Sequence, residues 1–249
     1  MSRWKAASIH ILISLAVGLI VGSLLLFVWY PPPFFHAAGA DVLVVLMVGV
    51  DLALGPLLTL VVFKSGKRAL KFDLALIGLM QAAALVYGLS IVLLSRPVFL
   101  LAVVDRFELI SASDLDPADL AKGPRPEFRS LSFTGPRLGG VQMPASAQDR
   151  DHVLFSSVGG KDIDKFPEYY VDYAVTADGL LKHAKPLDTL KISSREERTA
   201  LDDALAGLRK PVAEIVWVPL TALKANIVML LDRSTGQPLR AVAVNPWPN

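Results

Sequence analysis

The chain has no cysteine. That excludes disulfide scaffolds, thiol redox chemistry and thiolate-held metal or iron–sulfur sites, and leaves the compartment open. Charge is scarce before residue 96, whereas the remainder has an ordinary globular mixture. The net charge of +2 is small and its basic residues are dispersed except at one hairpin, so no nucleic-acid footprint is expected. Catalytic signatures are missing as well. The histidines (His10, His36, His152 and His183) are scattered without metal-ligand spacing, and there is no nucleophile elbow, Walker loop or dinucleotide fingerprint. Gly159-Gly160-Lys161 lacks the rest of a phosphate loop and reads as a turn. Asp105 and Glu108 are close enough in sequence for acid–base work, but on one strand they face opposite sides. No catalytic residue, metal or cofactor is expected.

What is present is apolar length. The chain is 53% apolar, with that apolarity concentrated before residue 105. Ile9 to Tyr30 runs without a charge for 22 residues, enough to cross about 30 Å of hydrocarbon. It exceeds a signal-peptide core and is read as a helix that stays in the protein, despite the A-x-A form of Ala38-Gly39-Ala40. Residues 42–63 and 74–95 are the second and third spans. Residues 1–95 are therefore predicted to be a membrane module of three transmembrane helices, at about 9–30, 42–63 and 74–95. Arg3 and Lys5 precede the first span, and Lys64, Lys67, Arg68 and Lys71 lie between the second and third. The positive-inside rule predicts a cytoplasmic N-terminus and hairpin, with residues 96–249 on the opposite side. Asp73 opens the third span, where it caps the helix and pairs with nearby bases.

Three features of this module suggest contacts. Ser14, Gly18 and Gly22 recur every four residues, giving a face that a second helix backbone can approach closely. Asp51 is an acid inside an apolar run, and a carboxylate at that depth normally faces protein or water. Counting depth from the hairpin puts Gln81 within about 4.5 Å of the level of Asp51, so an Asp51–Gln81 hydrogen bond is feasible, with Thr59 and Tyr87 as further polar neighbours. Pro56 frees the carbonyl of Leu52 near the acid. An internal latch, a polar anchor for a bound helix and an ion or proton site are all open readings, although three helices with one central acid give no relay for transport.

The soluble half, residues 96–249, is predicted to be an α+β domain with a small antiparallel sheet. Residues 98–110 read as one extended run. Asp116-Pro117 starts a short helix, and residues 123–150 read as mostly loop or short strand. Ser194 with Glu197 caps a helix over 195–208, and residues 212–218, 226–232 and 238–244 read as strands.

SRWKA near the start, WYPPPFF, VGVDLALGPLLTLVVFKSGKRALKFDLA and RPVFLLAVVDRFEL together resemble the TfpX/TfpZ-type type IV pilin accessory proteins. The resemblance is strong over about 110 residues and continues weakly through LFSSVGGKDIDKFPEYYVDY. Ser65 departs from it, standing where proline is expected before Gly66-Lys67, and residues 123–150 do not align. The resemblance implies a bacterial inner-membrane protein with a periplasmic domain. Its implied role is as a pilin-specific chaperone for type IV pilus assembly, with the major pilin as partner. It carries no catalytic residues. The partner-binding set is then Ser14, Gly18, Gly22, Asp51 and Gln81, with Pro56, Lys64, Lys67, Arg68, Lys71 and Asp73 fixing structure and topology. Besides pilin, the expected contacts are membrane lipid and no nucleic acid. An extracytoplasmic ligand sensor is the competing class, although its cytoplasmic parts would be too short for an output module. A pilin-modifying membrane enzyme ranks below both, for want of polar residues clustered at one membrane face.

Overall fold

The computed structural model describes residues 2–247. Helix α1 (Arg3–Leu24) continues as a π-helical turn over Leu25–Trp29 and is followed by the short α2 (Phe34–Ala37). Helices α3 (Ala40–Val62) and α4 (Leu70–Ser95) are joined by the basic hairpin. With α1, they give three helices long and apolar enough to cross a membrane. Helix α1 starts six residues earlier than the apolar run. Ser2 caps it by accepting a bond from the Lys5 amide at 3.3 Å, so the two cations sit inside its first turns. Asp73 lies in the first turn of α4 rather than at its cap. It accepts a 2.5 Å bond from Lys67.

After α4 come strands β1 (Pro97–Val103) and β2 (Arg106–Ser111), then α5 (Pro117–Leu120), β3 (Arg137–Val141), α6 (Ala147–Val158), β4 (Tyr170–Val171), α7 (Tyr173–Leu181) and β5 (Lys185–Pro186). Helix α8 (Arg195–Leu208) precedes β6 (Ile215–Thr221), β7 (Ile227–Asp232) and β8 (Pro238–Val242). The extended run over 98–110 is thus a hairpin folded at Val104. The sheet has eight strands, in the order β4-β3-β1-β2-β6-β7-β8, with β5 also paired to β6. It is mixed rather than purely antiparallel. Strands β1 and β3, and β2 and β6, pair in parallel because long crossovers carrying helices separate them.

Strands β6 and β7 explain how the sheet is placed. IVWVPL and IVMLLD are buried at every position, the pattern of strands covered on both faces. On one face, Val216, Val218 and Leu220 of β6 and Ile227, Met229 and Leu231 of β7 join Leu100, Ala102, Phe107 and Leu109. That face rests on the end of the helix bundle. Leu25, Trp29, Tyr30, Phe34, Ala37, Ala40 and Val92 belong to the same core. The far face carries two separate cores. One gathers Phe99, Leu101, Phe128, Val153 and Tyr170; the other gathers Ile215, Trp217, Leu230, Leu201 and Val244.

Polar contacts fasten the junction. The Tyr30 hydroxyl donates to the Val92 carbonyl at 2.7 Å. The amides of Lys224 and Ala225, in the β6–β7 loop, both donate to the Ala37 carbonyl at 2.9 and 3.2 Å. Lys224 Nζ reaches both carboxylate oxygens of Asp41 at 2.8–2.9 Å, and His36 shares that carboxylate at 2.8 Å. Where α4 ends, Arg96 donates to the carbonyls of Leu93 and Ser132 at 2.5 and 2.9 Å and lies over the Phe133 ring.

Candidate functional site

Helix α3 packs against both α1 and α4. A Cβ at Gly18 of α1 would lie 3.2 Å from Val48 Cγ1, so this small position serves packing within the chain. Ser14 is buried, while Gly22 has no neighbour within 4 Å of a built Cβ. The three positions of the predicted contact face are therefore used differently.

Asp51, Gly55 and Thr59 follow one another at intervals of four on one face of α3. Gln81 of α4 donates from Nε2 to Asp51 Oδ1, the contact that the depth count made feasible. Thr59 does not join that pair. Its hydroxyl is 2.6 Å from Nδ1 of His10, on α1. Between them, Gly55 makes room for both: a Cβ there would lie 2.1 Å from Gln81 Nε2 and 2.9 Å from His10 Nε2. Two polar couples thus tie α3 to α1 and to α4. Pro56 adjoins Gly55 within the helix, and Tyr87 is exposed and takes no part. Sequence reasoning missed His10 because it was weighed only as a metal ligand. A histidine within an apolar span is itself the signal.

Beside these couples, α1 and α4 leave a cleft of about 460 Å³. Ile9, Ile13, Ser14 and Val17 form one wall and Leu74, Gly78, Ala82 and Leu85 the other. Toward the sheet, Val21 and Leu25 of α1 and Val92 of α4 enter the common core. At the other end, Arg3, Lys5, Lys64, Lys67, Arg68 and Lys71 are all exposed.

A second polar group lies on the far face of the sheet, where β2 meets β6. Glu108 of β2 stands opposite Thr221. Burial, then the nearby Asp164, push its carboxyl up to about 7; Asp162 adds to this, and Arg106 and Thr221 oppose it. Asp164 is itself raised, mainly by burial. Asp105, predicted to share a strand with Glu108, is in the turn before β2 and pairs with Arg106 at 2.9 Å. Among the described residues, no group of three or more His, Asp or Glu side chains is arranged to hold a metal ion.

An apolar three-helix bundle capped by a mixed sheet, with polar couples inside the bundle, fits a membrane protein. The family of fimbrial assembly protein FimB matches residues 1–39, the stretch that includes α1 and the residues under the sheet. The chain is 31% identical over 238 residues to the fimbrial assembly protein, serogroup I, of Dichelobacter nodosus, covering 92% of this chain and 91% of that protein. It is 30% identical over 235 residues to the serogroup E1 protein of the same organism, with the same coverage. It is 35% identical over 113 residues to the serogroup C1 and C2 protein, covering 45% of this chain and 86% of that protein. The chain belongs to the fimbrial assembly protein family. No solved structure matches it.

Proposed function

We propose that this protein assists type IV pilus assembly as a pilin-specific chaperone, holding the major pilin in the bacterial inner membrane before polymerisation. In this reading the basic hairpin faces the cytoplasm and the sheet domain the periplasm, as the charge asymmetry of Arg3, Lys5 and residues 64–71 supports. The sheet domain supplies a second contact to the pilin. The protein acts by binding rather than turnover. The supporting observation is the cleft between α1 and α4. Ser14, Gly78 and Ala82 are small residues on its walls, the composition that lets another helix backbone approach. Membrane helices associate through such packing, because one interhelical hydrogen bond is worth only about 0.6–2 kcal/mol. Filling the cleft should therefore matter more than changing Asp51.

The test is co-purification of pilin at matched expression, together with photocrosslinking from Ile13. Gly78→Leu fills the cleft at a position with no neighbour within 4 Å, so the bundle accepts it. Gly49→Leu is the control, equally uncrowded but outside the cleft. Gly78→Leu should reduce pilin recovery several-fold, Gly49→Leu should not, and Asp51→Asn should have the smaller effect. Equal recovery from both glycine variants, or no pilin crosslink from Ile13, would overturn the reading.

A further inference from the structure

The cleft is one leaflet deep. It runs from Ala6 to Val17 on α1 and from Leu74 to Leu85 on α4. Eleven residue steps of ~1.5 Å give ~16 Å, about half the ~30 Å hydrocarbon core. Above Val17 and Leu85 the helices close into the core beneath the sheet. Its open end begins directly inside the charges, since Ala6 follows Lys5 and Leu74 lies three residues after Lys71.

Those charges are largely uncompensated. Lys67 is engaged by Asp73 at 2.5 Å, whereas Arg3, Lys5, Lys64, Arg68 and Lys71 have no carboxylate within ion-pair distance among the described residues. Deeper in, the polar side chains that border the cleft are paired as Gln81–Asp51 and His10–Thr59, and apart from these and Ser14 its lining is apolar. A cationic mouth over a mainly apolar slot one leaflet long, its polar groups already paired, complements a molecule with an anionic head and a single-leaflet tail.

We infer that the cleft is a binding site for an anionic phospholipid. The phosphate lies among Lys5, Lys71 and the neighbouring cations, and one acyl chain lies between α1 and α4. The lipid fills the cleft when no partner helix is present. Only the further step, its displacement by pilin, rests on the function proposed above.

The full-length protein, delipidated in detergent, is titrated with phosphatidylglycerol, with phosphatidylcholine of the same chains, and with glycerol phosphate. Native mass spectrometry counts bound copies and thermal melting reports their effect. One tightly held phosphatidylglycerol per chain and a raised Tm are expected, with weaker retention of phosphatidylcholine and none of glycerol phosphate. At about a factor of five per surface cation, Lys5→Gln with Lys71→Gln should weaken retention by ~30-fold. Gly78→Leu should weaken it without altering charge, and Gly49→Leu should not. Equal retention of the two lipids, unsaturable binding, or unchanged phosphatidylglycerol affinity in both the double variant and Gly78→Leu would each overturn the site. All arms are measured without pilin. Failure here therefore leaves the pilin reading standing, and failure of pilin capture leaves the lipid site standing.

Discussion

The near face of the sheet is one apolar core shared with the helix bundle, while the far face is two cores separated by a polar seam at Glu108 and Thr221. The near face offers no joint at which the two halves of the sheet could part, because residues of β1, β2, β6 and β7 belong with the helix ends to one continuous core. The far face has its break where β2 and β6 pair over only two residues, and there the titratable side chains collect. Rigidity belongs to the side facing the bundle, and sensitivity to conditions belongs to the side turned away.

Four measurements sharpen or break that contrast. The largest effect is expected from Tyr30→Ala on the near face, where a fully buried ring and its bond to Val92 are lost. Unfolding of the full-length protein should be destabilised by about 3–5 kcal/mol, with hydrogen exchange rising in both halves of the sheet. Phe128→Ala on the far face should loosen β1 and β3 alone. Exchange confined to one half in both variants would erase the distinction.

The seam comes next. The folded carboxyl of Glu108, at about 7, lies above its ordinary 4.5, so the folded chain holds the proton more tightly. Its stabilising contribution is complete below pH 4.5 and is lost as pH rises to about 7. For a half-buried group this amounts to about 1–3 kcal/mol. Glu108→Gln should flatten the Tm profile across that window. An unchanged slope in this variant would assign the pH response elsewhere.

Smaller still is the rim contact. Lys224→Ala removes a partly exposed pair with Asp41 and should cost ~0.5–1 kcal/mol, less at high salt. The smallest effect is expected at Phe155 of α6, which is 76% exposed. Phe155→Ser should change the Tm by an amount equivalent to less than ~0.5 kcal/mol. A large loss there would mean that the far face continues beyond its two cores.

How much of this was legible follows from how local each signal is. Apolar length and basic flanks gave the three spans, and a depth count made the Asp51–Gln81 bond feasible. The Ser194 cap located α8, whose Glu197 amide does bond the Ser194 hydroxyl at 3.1 Å. The β1–β2 hairpin left no trace because its turn uses Val104 at φ 51°, a left-handed position that β-branched residues rarely occupy. The parallel pairings were hidden for a different reason. They join strands far apart in the sequence, and local pattern carries no information about such partners. Helix α6 gave no sequence signal because Leu154, Phe155 and Val158 point outward, leaving Val153 as its one buried residue and no periodic apolar face. Within the site, Gly55 became informative only once His10 and Gln81 were seen to meet over it.

The shared core also sets a timetable for biogenesis. Its floor is laid by Leu25, Tyr30 and Ala40, yet Val218, Leu220 and Leu231, which cover that floor, come late in the sequence. At ~5–20 residues per second, the roughly 120 residues between α4 and β6 take about 6–24 s to synthesise. For that interval the three helices carry an uncovered apolar end. Nascent chains stalled before β6 should therefore be degraded or captured by holding factors, even though all three spans are already complete.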